Sequence, residues 1–169
     1  MSNLVFADIA SSAKITIDHP TEIVWPHLMN QELWMKDFVV ERISGERNKE
    51  GEVKKISAIN TNPDGVPVSE FQPFYFKTLL LVPLRRFVYK AYTEHRTGDY
   101  GFTGVEILTL GDFGSSSVVT FEAYIEMQSG KMTTSELVKL IAMAKESGAA
   151  LWERNFQRLN ALVNSAGRA

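Results

Sequence analysis

The sequence predicts an α+β domain in which an antiparallel sheet of about seven strands curves around one long C-terminal helix, with two short helices after the first strand. Three observations carry this expectation. Six stretches of period-two alternation follow one another between Phe38 and Gln128, each bounded by turn residues. The segments between them are too short for the crossovers that parallel pairing requires. After Thr133 the pattern changes to a helical period and keeps it to Ala166.

The elements follow in chain order. Lys14-Ile15-Thr16-Ile17-Asp18 alternates polar and apolar, as a half-buried strand does. Pro20 suits the first position of a helix, where a missing N–H is harmless, and Ile23, Val24, Trp25 and Leu28 supply its apolar face. Pro26 removes a backbone donor inside that helix, which should therefore be short or kinked. Asn30 is placed to cap a second short helix ending at Trp34. Strands are then expected over residues 38–46, 52–60, 68–81, 86–95, 100–110 and 117–128. Asn48-Lys49-Glu50-Gly51, Asn62-Pro63-Asp64-Gly65, Val82-Pro83 and Gly111-Asp112-Phe113-Gly114 supply turn chemistry between them. Thr133 and Glu136 have capping-box spacing, and Leu137, Leu140, Ile141, Ala144, Leu151, Trp152, Leu159 and Leu162 form an apolar stripe behind them. A continuous helix over this stretch would be about 50 Å long. Gly148 lies mid-way and is expected to bend it. One wet face and one apolar face require the helix to lie on the sheet.

Composition narrows the function. The 169 residues are expected to form one domain, 1–169, with a core over 13–166 and short loose ends. With 44% hydrophobic and 22% charged residues the chain is of ordinary globular character. The net charge is −2 and the basic residues are scattered, so no stripe exists to neutralise phosphates, and nucleic acid is not an expected partner. There is no cysteine, which removes disulfides, thiolate metal sites and a cysteine nucleophile. No transmembrane stretch of ~20 apolar residues and no leader is evident, so a cytoplasmic location is expected. His19, His27 and His95 lack ligand spacing, and no metal site is predicted. Gly98, Gly101 and Gly104 lack the following helix that a phosphate loop needs, so no nucleotide or other cofactor is expected.

The order strand, two short helices, six strands and long helix resembles the helix-grip fold of the START and polyketide-cyclase-like (SRPBCC) superfamily. Local wording agrees with it. The run from Ile15 through His19-Pro20-Thr21-Glu22 to Val24-Trp25 is similar to the superfamily's opening, and Leu151-Trp152-Glu153 through Leu159-Asn160-Ala161-Leu162 to the last turns of its gripping helix. The resemblance covers nearly the whole chain, but its motifs are architectural and share no catalytic signature. It implies a cavity between sheet and helix that holds an apolar or aromatic small molecule. Fold alone does not choose between carriage and chemistry.

Alternation indicates which side chains face inward. Phe87, Tyr89, Ala91 and Thr93 form the more apolar face of their strand, as do Val119, Phe121, Ala123 and Ile125 of theirs. In the aromatic strand, Phe74, Phe76, Thr78 and Leu80 are taken as inward. Residues 100–110 are ambiguous, with Phe102, Glu106 and Leu108 on one face against Thr103, Val105 and Ile107 on the other. The expected ligand-contacting set is Trp34, Phe74, Phe76, Tyr89, Phe102, Phe121, Ile125, Leu151 and Trp152, although aromatic stripes of this kind also build ordinary cores.

Three residues are candidates for chemistry. Glu106 is flanked by Val105, Ile107 and Leu108, and a carboxylate drawn into an apolar pocket gains a raised pKa suited to proton transfer. The simpler expectation is that it faces water on the outside of the sheet. Tyr89 can donate to a carbonyl or enolate oxygen, and His95 is positioned at a strand end as an acid-base candidate or a solvated rim residue. Two readings therefore stand: a binding or transport module for a hydrophobic or aromatic molecule, and a cofactor-independent cyclase, dehydratase or lyase. The first predicts an apolar cavity without an isolated ionisable group, the second convergent polar groups with shifted pKa values. A third, a regulatory domain read through its helix, predicts an exposed apolar patch.

Overall fold

The structure, a computed structural model, describes residues 4–59, 73–93 and 100–166. The elements are β1 (Val5–Ile17), α1 (Thr21–Met29), α2 (Gln31–Trp34), β2 (Phe38–Ser44), β3 (Val53–Ala58), β4 (Phe74–Val82), β5 (Arg86–Tyr92), β6 (Gly101–Asp112), β7 (Ser117–Ser129) and α3 (Thr134–Ala166). The seven strands form one curved antiparallel sheet in the order β1-β7-β6-β5-β4-β3-β2. Consecutive strands from β2 to β7 pair as neighbours, while β1 joins the far side by pairing with β7 along its whole length. Helix α3 runs back across the inner face, closest to β1 among the strands, and meets α1 and α2 beyond it. This is the predicted α+β helix-grip architecture.

Several local expectations need correction. The first strand begins at Val5, well before Lys14, because Val5, Ala7, Ile9, Ser11 and Ala13 continue the inner row opposite β7. Alanines and serines on both faces hide that alternation in the sequence. Pro20 is the residue before α1 and not its first position. Asn30 precedes α2 without a side-chain cap, its Oδ1 accepting instead from Arg47 at 3.3 Å. Leu80 faces outward: a bulge between Thr78 and Leu80 shifts the β4–β5 register and puts Leu80 opposite Val88 on the outer face. Residues 60–72 and 94–99, and with them the start of the third predicted strand and His95, lie outside the described residues.

The long helix starts as its sequence indicates. The Thr133 backbone N–H donates to the Glu136 carboxylate at 2.7 Å and the Glu136 N–H to the Thr133 hydroxyl at 3.3 Å, closing the capping box. Near its other end, Arg158 donates from both terminal nitrogens to Asp37 at 2.7 and 3.3 Å, tying α3 to the segment between α2 and β2. Two apolar clusters then separate along α3. The larger one packs Phe156, Leu159 and Val163 against Trp34, Phe87, Leu108 and Phe121. The smaller one packs Leu137 and Ile141 against Met127.

Candidate functional site

Between those two clusters burial is incomplete. Along the inner stripe of α3, Leu137, Ile141, Asn155 and Leu159 are buried, while Ala144, Gly148, Leu151 and Trp152 keep accessible surface. The sheet shows the same break. On β7, Ala123 and Met127 are buried but Ile125 between them is only half-buried. On β6 the half-buried inward residues are Phe102, Gly104 and Glu106, and on β4 Phe74. Phe102 and Ile125 pack against both clusters and so bridge the break. Phe74, Phe102, Ile125, Leu151 and Trp152 are thus the half-buried apolar side chains between sheet and helix.

Glu106 is the acidic side chain of that inner row. It stands opposite Tyr89 on β5 and Ala123 on β7, both buried, and paired residues of an antiparallel sheet share a face. It therefore points inward, which corrects the expectation of a water-facing residue. Protein surrounds it, yet it retains some accessible surface. Among the described residues none donates a hydrogen bond to its carboxyl. Burial alone pushes its pKa up to about 8.

Behind Glu106 lies a polar wall that sequence reasoning did not find. Lys54 donates to the Gln31 amide oxygen at 3.1 Å and pairs with Glu52 at 3.5 Å, all three being buried. Glu52 Oε1 has no hydrogen-bond partner among the described residues, nor has Gln31 Nε2. Glu52 Oε2 accepts in addition from the Asn48 N–H at 3.0 Å. Burial lowers the Lys54 pKa, opposed by the charge of Glu52. The Tyr89 hydroxyl is held well above its ordinary pKa by burial first, then by the charges of Glu52 and Glu106. The neighbouring Gln31 side chain opposes that shift, although its amide nitrogen makes no well-formed hydrogen bond among the described residues. The signal that could have revealed this wall is the face shared by Glu52, Lys54 and Ile56, in which two charged residues alternate with an inward isoleucine.

The remaining predicted residues divide in two. Phe74, Phe102, Ile125, Leu151 and Trp152 are half-buried and keep accessible surface. Trp34 is fully buried, its indole N–H donating to Leu28 at 3.3 Å, and offers a ligand no surface. Phe76, Tyr89 and Phe121 are also buried: Phe76 stacks on Tyr89 at 5.2 Å, and Trp152 covers Phe121 at 3.7 Å. These side chains belong to the larger apolar cluster. Among the described residues no group of histidines and carboxylates could hold a metal ion, and no helix is long and apolar enough to cross a membrane.

Fold and site together define a helix-grip protein with an acid-bearing interior between its sheet and its long helix. No family model matches the sequence, nor does any curated protein. Solved structures match it over nearly its full length. An uncharacterised protein from Rhizobium leguminosarum superposes with a TM-score of 0.62 at 10% identity, covering 96% of this chain and 99% of that one. Protein MLL2253 from Mesorhizobium loti gives 0.60 at 18% identity, with 93% and 98% covered. Norcoclaurine synthase from Thalictrum flavum, solved with dopamine and hydroxybenzaldehyde, gives 0.60 at 11% identity, with 95% and 88% covered. At these identities the likeness is one of fold.

Proposed function

We propose that this protein binds an aromatic or otherwise apolar small molecule between the sheet and α3, and that Glu106 exchanges a proton with it in a cofactor-independent reaction. The observation that carries the reading is Glu106 itself: an inward, half-buried carboxyl opposite Tyr89 and Ala123, with no donor to it among the described residues and a pKa of about 8. A proton-transfer group works best with its pKa near the working pH. A purely passive apolar cavity has no use for such a group, whose burial opposes folding whenever it ionises. The apolar lining sets affinity through buried area, at roughly 25 cal/mol per Å². The carboxyl then selects ligands that present a carbonyl or an acidic C–H.

The reading includes a cytoplasmic protein of the START and polyketide-cyclase-like superfamily. That placement is supported by the element order and by the fold shared with norcoclaurine synthase, a small-molecule enzyme. Carriage without chemistry is the second reading, favoured by five apolar side chains lining the space against one carboxyl.

One experiment separates them. Aromatic methyl ketones are incubated with the protein in D₂O, and deuterium incorporation next to the carbonyl is followed by NMR. The enzyme reading expects incorporation that rises with pH to a plateau above about 8 and falls at least 10²-fold in Glu106→Gln. Ketone binding unaccompanied by exchange, in both proteins, would leave carriage. No binding to any ketone or aromatic hydrocarbon would overturn both.

A further inference from the structure

Gly148 occupies a position that backbone geometry does not explain. It lies within α3 on the centre of the inner stripe, seven residues from both Ile141 and Asn155, which are buried. Its φ is not positive, so no left-handed conformation demands glycine, and a Cβ built there would meet nothing within 4 Å among the described residues, so none of them demands it by crowding. Glycine inside a helix is about 1 kcal/mol less favourable than alanine. The residue gives up helix stability and leaves a gap on the face that elsewhere packs tightly. The expectation that Gly148 bends the helix accounts for neither the accessible surface nor the empty space around it.

The gap has a defined setting. Trp152 follows one turn later on the same stripe, stacked on Phe121, and Ala144 precedes by one turn. Phe102 and Ile125, which bridge the two apolar clusters, lie on the strands that face this stretch of α3. Leu159 lies in the larger cluster and Ile141 in the smaller, so a large apolar side chain at position 148 would stand between them.

We infer that the bare turn of α3 at Gly148 is a subsite for the ring of the bound molecule, and that the missing side chain sets the size of ligand the interior admits. The inference rests on the binding reading above and adds the ligand's shape to it. The recognised class is a flat aromatic ketone, its oxygen directed to Glu106 and its ring lying between the helix backbone at Gly148 and the side chains of Phe102 and Ile125. A planar ring suits a slot with backbone on one side and half-buried apolar side chains on the other.

The test compares Gly148→Ala, Gly148→Leu and the unaltered chain by thermal denaturation and by fluorescence titration with Prodan, a neutral naphthyl ketone. Both substitutions replace a mid-helix glycine, so both variants should melt higher than the unaltered protein, and loss of binding cannot then be ascribed to unfolding. Leucine should melt highest, because an enclosed apolar space rewards the larger side chain, whereas on a water-facing helix surface alanine is at least as favourable as leucine. Prodan affinity should be within about 3-fold of the unaltered value for Gly148→Ala and at least 10-fold weaker for Gly148→Leu. Equal Prodan affinity in Gly148→Leu, or a melting order with alanine above leucine, overturns the subsite while leaving the binding reading intact. Failure of the unaltered protein to bind Prodan or any other aromatic ketone overturns the binding reading and the subsite with it.

Discussion

Replacing Glu106 by glutamine should stabilise the protein, and by an amount that depends on pH. The folded-state pKa is raised to about 8 from an ordinary 4.5, so the folded chain holds this proton more tightly than the unfolded chain does. Between those two values the folded state binds more protons, and stability must fall as pH rises. Below about pH 4.5 the carboxyl is neutral in both states and contributes nothing to the slope. Above about pH 8 the full penalty for ionising it in the interior is present. At 1.36 kcal/mol per pH unit the ceiling is about 5 kcal/mol, and relaxation with water entry reduces the working expectation to about 2–3 kcal/mol. Glutamine keeps the shape and carries no charge. Urea denaturation of both proteins at pH 5 and pH 9 isolates the effect, since every other titrating group is common to the pair. The variant should be close to the unaltered protein at pH 5 and more stable by about 2–3 kcal/mol at pH 9. A difference that stays constant within about 0.5 kcal/mol across that range would refute the placement of Glu106 in the interior and the proton-transfer role built on it.

Three further outcomes follow from other parts of the structure. Lys54→Met leaves Glu52 buried without its cation and should lower the unfolding free energy by about 3–5 kcal/mol, whereas adding Glu52→Gln should recover much of that loss; a double-mutant cycle in urea measures the coupling. Gly104→Ala places a Cβ 2.7 Å from the Ile125 Cα and against the Tyr124 carbonyl, a backbone clash that flexing a side chain cannot relieve, so thermal denaturation should show a loss of about 2 kcal/mol or more. Thr133→Ala removes the hydroxyl that caps α3 and should destabilise by about 1 kcal/mol, with circular dichroism confirming that the helix itself persists.

Most of the architecture was legible because it rests on features the chain repeats. Turn residues bounded every strand described, and the switch to helical period at Thr133 was marked by a capping box that closes as its spacing indicates. What failed was local and had identifiable causes. The outward position of Leu80 comes from the bulge after Thr78, which reverses the alternation within one strand and leaves no mark on residue types. The early start of β1 was obscured because Ala7, Ala10, Ser11, Ser12 and Ala13 are small on both faces, so polarity carries little contrast there. Fixed pairing with β7, a tertiary fact, decides the length of that strand.

The site was harder to read than the fold because its chemistry depends on register, and register is set by partners distant in sequence. Nothing in the stretch from Phe102 to Leu108 distinguishes its faces; Glu106 turns inward because β5 presents Tyr89 to it and β7 presents Ala123. Both neighbouring strands do have clear inner faces in the sequence, through Phe87, Tyr89 and Ala91 on one and Val119, Phe121 and Ala123 on the other. An ambiguous strand held between two unambiguous ones is therefore constrained once the ladder is known, and a single acidic residue on its inner row becomes the exception that must be explained. The same reasoning applies to Lys54, which looks like a surface lysine until Ile56 and its partner Phe74 fix the row it belongs to. Burying Lys54 with Glu52 and leaving Glu106 without a donor among the described residues disposes of the two carboxyls differently. Glu52 is compensated in part by its cation and forms a wall. Glu106 has no such partner among the described residues, and in the function proposed above a bound ligand would give its proton somewhere to go.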